Sequence, residues 1–149
     1  MRKHVVMSLV SASILAALAA VPASAQSKET MRIEIPFEFI LGEETLRAGV
    51  YVIERLDPTR PNVLRIKSAE GGKAKNILTQ RVEARDVVES AKLLFHRYGE
   101  QYYLAEVWMS RALNGQRVPA GKGADESRSR EVKVETVAVY SKAKAAPRR

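Results

Sequence analysis

The sequence predicts an all-β fold, with six to seven mainly antiparallel strands forming a sandwich or a small open barrel behind an N-terminal signal peptide. Two observations carry this expectation. Residues 31–41 (MRIEIPFEFIL) place Met31, Ile33, Ile35, Phe37, Phe39 and Leu41 on one parity and mostly polar residues on the other, the period of a strand with one buried face. Further along, short runs rich in β-branched or aromatic residues recur, each bounded by Gly, Pro, Asn or Asp.

The chain opens on Arg2, Lys3 and His4, then an apolar run over 5–21 interrupted by Ser8, Ser11 and Ser13. Pro22 ends the run, and Ala23-Ser24-Ala25 gives the small-x-small pattern of a cleavage site before Gln26. Residues 1–25 are therefore expected to be a signal peptide, 26–140 a single β domain, and 141–149 a basic flexible tail. The apolar run sits at the lower edge of spanning length, about 17 residues, and no second run approaches it. A periplasmic or secreted location is expected, with no spanning segment in the mature chain.

Within the domain, Pro36 removes a ladder donor and points to an edge or a bulge in the first strand. A second strand is expected over 50–56, a third over 62–68 and a fourth over 73–82, with Asp57-Pro58, Arg60-Pro61-Asn62 and Glu70-Gly71-Gly72 as loops. Residues 83–90 read either as a short helical turn or as an irregular crossing. Gly99-Glu100 reads as a Gly-first two-residue turn joining strands 91–98 and 101–109. The glycines and proline of 111–124 predict loop, Asp125 a cap for a short helix over 126–131, and Val132–Tyr140 a last strand.

Composition excludes several chemistries. There is no cysteine, so disulfides, thiolate zinc sites, cysteine nucleophiles and a cysteine lipid anchor are absent, and the mature chain keeps one histidine, His96. The net charge of +8 is uneven: residues 26–116 carry 14 basic and 13 acidic groups, residues 117–149 carry 9 and 4. The body is close to neutral, which argues against a whole-domain nucleic-acid binder, and the excess belongs to the C-terminal segment. An outer-membrane barrel is disfavoured because Arg65, Lys67, Lys73 and Lys75 interrupt the apolar faces and no aromatic girdle recurs.

Several blocks together carry a resemblance: IPFEF at 35–39, LRAGVYVIE at 46–54, KLLFHRYGEQYYLAEVW at 92–108 and Ser129-Arg130-Glu131. In these the chain resembles a family of small exported proteins of Acidobacteria, whose members often carry proline where Arg47 stands. The resemblance implies an exported β-rich domain and supplies no activity and no catalytic or binding residues. The L-x-A-G-x-Y-x-V segment also resembles turns of prealbumin-like sandwiches, an analogy of fold alone.

Five of the nine aromatic residues fall between 95 and 108. With the turn at Gly99-Glu100, strict pairing sets Arg97 opposite Tyr102, His96 opposite Tyr103, Phe95 opposite Leu104 and Ala91 opposite Trp108. One face then holds Leu93, Phe95, Leu104 and Trp108, with Glu106, Arg97 and Tyr102 among them. The other holds Leu94, Ala105, Val107, Tyr103, His96 and Lys92. Neither is cleanly polar, so the hairpin is either covered on both sides or offers a ligand or partner surface, with His96, Tyr103, Trp108, Arg97 and Tyr102 as its candidates. Strict alternation separates His96 from Glu106, and no nucleophile motif accompanies it. Glu34 and Glu38 are roughly 13 Å apart on one strand, too far for an acid–base pair. Asp125-Glu126 and Glu43-Glu44 lack calcium-loop spacing, and Gly71-Gly72 and Gly121-x-Gly123 are turn glycines. No enzyme, metal or cofactor is expected. The expected function is a non-enzymatic exported binding or structural module that meets an envelope protein or an apolar ligand. The alternative is an envelope polyanion binder acting through Lys142, Lys144, Arg148 and Arg149.

Processing gives the first test. Intact-mass measurement of the exported protein is expected to show an N-terminus at Gln26, and a chain retaining Met1 in the membrane fraction overturns the export reading.

Overall fold

In the computed structural model of the chain, the described residues are 29–129 and 134–142. The expected signal peptide, residues 130–133 of the expected last helix and strand, and Lys144, Arg148 and Arg149 of the tail lie outside them. The described chain is nearly all β, with eleven strands in two open, mostly antiparallel sheets.

The first sheet has the order β1 (Thr30–Ile35), β4 (Gly49–Arg55), β5 (Val63–Ser68), β6 (Lys75–Leu78). The second has β11 (Val134–Tyr140), β8 (Lys92–Tyr98), β9 (Gln101–Trp108), β10 (Ala112–Arg117) and β7 (Gln80–Val88). Two short strands, β2 (Phe39–Leu41) and β3 (Glu44–Leu46), complete it: β3 pairs with β2, and β2 joins β9 in parallel at Ile40 and Tyr103. One helix, α1 (Lys122–Ser129), follows β10. None of the described helical residues makes a helix long and apolar enough to cross a membrane.

More strands are present than the six to seven expected because the chain twice passes from one sheet to the other where one continuous strand was expected, and because β3 and β10 form where no strand was expected. Residues 31–41 are two strands. β1 lies in the first sheet and β2 in the second, with Pro36–Glu38 between them. The alternation survives the crossing: Met31, Ile33, Ile35, Phe39 and Leu41 are buried, and Phe37 packs half-buried on the same core. Pro36, which cannot donate to a ladder, stands where the ladder changes. The expected fourth strand breaks in the same way at Thr79, between β6 and β7. Thr79 is buried, donates its amide to the Asn62 carbonyl at 2.8 Å, and holds its hydroxyl 2.7 Å from the Gln116 side-chain amide. That polar joint ties the two sheets where the chain leaves one for the other.

Three local expectations are corrected and a fourth holds. Residues 83–88, read as helical turn or crossing, continue β7, because β10 gives them a partner strand from Ala112 to Arg117, where loop was expected. The helix begins at Lys122, so Asp125 lies in its first turn and does not cap it; the Gly121 carbonyl instead accepts from the amides of Ala124 (2.9 Å) and Asp125 (3.3 Å). The turn at Gly99-Glu100 forms as read, with Gly99 at φ 61° and Tyr98 opposite Gln101.

The core lies between the sheets. Ile33 and Ile35 of β1, Ile53 of β4 and Leu64 of β5 meet Phe39 of β2, Leu93 and Phe95 of β8 and Val107 of β9. Phe39 sits edge-on to both Tyr51 and Phe95 at ring-centroid distances of 5.2 and 5.5 Å. The Tyr51 hydroxyl donates to the Arg47 carbonyl at 2.8 Å, and burial, with a further contribution from Glu70, raises its phenol above the ordinary value. Arg47 therefore serves through a carbonyl that any residue supplies.

These contacts separate two neighbouring positions. Phe39→Asp leaves an unpaired carboxylate among Tyr51 and Phe95 and is expected to cost several kcal/mol, enough to unfold a marginal domain. Glu38→Lys, at an exposed position, is expected to change stability by less than about 0.5 kcal/mol. Urea titration of the two variants checks the contrast.

Candidate functional site

The site is built on hairpin β8–β9. From the turn outward the pairing is regular, Arg97 with Tyr102, His96 with Tyr103, Phe95 with Leu104. The register then shifts: Leu94 faces Glu106, Leu93 faces Val107, and Lys92 faces Trp108. Ala105 is the extra residue, a β-bulge that re-aims everything after it. The expected pairing of Ala91 with Trp108 is thereby corrected, and the last three residues of β9 exchange faces. Val107 turns into the core at 1% exposure, while Glu106 and Trp108 join His96 and Tyr103 on the outer face.

The bulge also divides the far edge of β9. Before it, Tyr103 meets β2; after it, Glu106 and Val107 meet Arg117 and Gln116 of β10. The Ala105 carbonyl accepts from the Val118 amide at 2.8 Å, which carries Val118–Gly121 across the outer face toward α1. Gly121 then comes so close to the β2–β3 turn that a Cβ there would overlap the Gly42 carbonyl. α1 packs Ala124 against Tyr98 and Tyr103, whose rings stand edge to face at 5.6 Å.

Between these elements lies a cavity of about 580 Å³. Its walls include His96, Tyr98, Tyr103 and Glu106 from the hairpin, Arg117 from β10, Gln80 from β7, and Asp125 from α1. Glu106 is held at both oxygens: Trp108 Nε1 donates to one at 2.9 Å, and the Arg117 guanidinium donates to the other at 3.2 Å. Trp108 itself is buried under Gly115, where a Cβ would stand 2.5–2.8 Å from the indole.

The five hairpin candidates are thus divided. His96 and Tyr103 line the cavity. Trp108 lies on the same outer face but is covered, and reaches the cavity only through Glu106. Arg97 and Tyr102 are paired on the opposite side of the hairpin near its turn. There Tyr102 stacks on Phe37 at 4.0 Å, and the Arg97 guanidinium lies over the Tyr102 ring at 5.5 Å while pairing with Glu135 at 3.5 Å. Of the tail candidates, Lys142 is exposed and pairs with the exposed Glu34 at 3.2 Å, a contact worth little in water.

Arg117 and Gln80 were not singled out by the sequence. Glu106 and Asp125 were considered there only to be set aside, Glu106 as lying on the face opposite His96 and Asp125 as a helix cap without calcium-loop spacing. For Glu106 alone the sequence holds a signal. Strict alternation puts the Glu106 carboxylate on the face of Leu93 and Phe95, a costly burial that one extra residue in β9 relieves. Among the described residues, no group of three or more His, Asp or Glu is placed to hold a metal ion.

Comparison with known proteins yields nothing: no family model, curated protein or solved structure matches this chain. What the site does must be argued from its own chemistry.

The packing of Trp108 is open to direct test. Gly115→Ala forces the indole to move and is expected to destabilise the protein by about 1–3 kcal/mol. The emission of Trp108, the only tryptophan, is expected to shift with it. Urea denaturation followed by fluorescence reads both effects.

Proposed function

We propose that the chain is a non-enzymatic binding module of the bacterial envelope, exported by its N-terminal signal, with its ligand site in the cavity on the outer face of hairpin β8–β9. The observation that carries this reading is the convergence of His96, Tyr103, Glu106, Arg117 and Asp125 around about 580 Å³, a volume within the ordinary range for small-molecule sites. Convergent polar groups over a partly apolar floor favour a bound molecule over mere packing. The core is already closed on the other face of the same hairpin, so the outer face is not needed for it.

Lining of this kind suits a polar ligand better than the apolar one that the aromatic content of the hairpin alone suggests. The polyanion alternative rests on composition: Lys142 is engaged by Glu34, and Lys144, Arg148 and Arg149 lie outside the described residues.

Native mass spectrometry of protein purified from its own periplasm tests the proposal. The expected result is a noncovalent small-molecule adduct that disappears in Ala120→Phe, a substitution at an exposed position on the cavity rim. An adduct-free protein whose spectrum is identical in the variant removes the site.

A further inference from the structure

We infer that the cavity takes a small neutral saccharide, a mono- or disaccharide or the end of a longer glycan; the inference rests on the binding-module reading above. Charge comes first. Glu106 and Arg117 already neutralise each other at 3.2 Å, and the second Glu106 oxygen is held by Trp108 at 2.9 Å. A cation entering the site meets Arg117, and an anion meets Glu106 and Asp125, so either must disrupt an existing pair or face a like charge. A neutral ligand does neither.

Hydrogen bonding narrows the class. An apolar ligand that covered the cavity would strip water from Gln80, Glu106, Arg117 and Asp125 and give nothing back. The Glu106 oxygen that accepts from Trp108 has a lone pair beyond the one in use. The other already accepts from both Nε and Nη2 of Arg117, whose guanidinium keeps N–H groups beyond those two. A hydroxyl is donor and acceptor at once, so adjacent sugar hydroxyls can donate to the carboxylate and accept from the guanidinium without breaking the pair. The floor answers the remaining surface. Ile40, Ala124 and the edges of Tyr98 and Tyr103 offer apolar contact to the C–H face of a pyranose ring. The exposed Gln80 and Ala120 leave the rim open, which allows a glycan chain to continue outward.

Trp108 makes the test direct, because the only tryptophan donates to a carboxylate of the cavity wall. The mature full-length protein is titrated with maltose, cellobiose and N,N′-diacetylchitobiose. Parallel titrations use spermidine as a cation, glutarate as an anion and N-phenyl-1-naphthylamine as an apolar probe. Saturation-transfer NMR reports contact, and Trp108 emission reports occupancy. The expected result is saturable binding of at least one disaccharide with a change in Trp108 emission, weakened tenfold or more in both Glu106→Gln and Ala120→Phe. The urea midpoint of Ala120→Phe is expected to match the parent, which separates a blocked cavity from a broken fold. Binding of a charged or apolar probe that Ala120→Phe blocks, with no saccharide bound, overturns the saccharide assignment and leaves the cavity as a ligand site. Saccharide binding unchanged in Ala120→Phe overturns its location. No probe sensitive to Ala120→Phe overturns the saccharide and the binding-module reading together.

Discussion

Strict alternation along β9 would turn the Glu106 carboxylate into the core beside Leu93 and Phe95 and expel Val107. Both are costly: a buried, unpaired carboxylate costs several kcal/mol, and an exposed Val107 forfeits the burial of its apolar side chain. One extra residue, Ala105, resolves both, because a shift of one position sends every later side chain to the other face. The bulge frees the Ala105 carbonyl to accept from Val118, and that bond starts the segment that roofs the outer face. Core closure at Val107 and the cavity wall at Glu106 are therefore two results of one backbone irregularity.

The sheets depend on a second economy. At Pro36–Glu38 the chain changes sheets without changing the parity of its buried residues, whereas at Thr79 the parity shifts, from Ile77 and Thr79 to Val82 and Ala84. The first crossing uses a residue that has no donor to lose. The second leaves a buried threonine, which the Asn62 carbonyl and the Gln116 amide satisfy. Because the first crossing keeps its side chains in the space between the sheets, residues adjacent in sequence bind the two layers together. Phe39 is the clearest case: three residues past Pro36, it packs on Tyr51 of one sheet and Phe95 of the other.

Much of the fold was legible in the sequence because period-two alternation depends only on which side chains are buried. Met31 to Leu41 follow from it, while the strands around Tyr51 and Ile66 follow from the loop residues that bound them and the Gly99-Glu100 turn from its leading glycine. Strand ends and partners were not legible, since alternation carries no information about which sheet a strand joins; the division of 31–41 between two sheets is invisible in its pattern. β10 was hidden by Gly115, which looks like a loop residue but is required where Trp108 occupies the space of a side chain. For the site, His96 and Tyr103 were readable from their place on the hairpin. Glu106 was signalled only by the cost of burying its carboxylate, because its face depends on the bulge, and Arg117, Gln80 and Asp125 arrive from elements with no sequence pattern linking them to the hairpin.

The arrangement around Trp108 explains how a cavity on a sheet surface can keep its shape. Small-molecule sites recognise best when their polar groups are held before the ligand arrives. Here the carboxylate is fixed at one oxygen by an indole that is itself immobilised under Gly115, and at the other by a guanidinium from the neighbouring strand. The indole cannot turn without opening packed contacts, whereas the Arg117 side chain is exposed, so the orientation of Glu106 is set chiefly from the Trp108 side. The floor is fixed independently, by Tyr98, Tyr103 and Ala124 under α1 and by the close backbone approach of Gly121 to Gly42. Leu104 and Val118 belong both to the cavity lining and to the core between the sheets, so the shape of the site is tied to the packing of the fold.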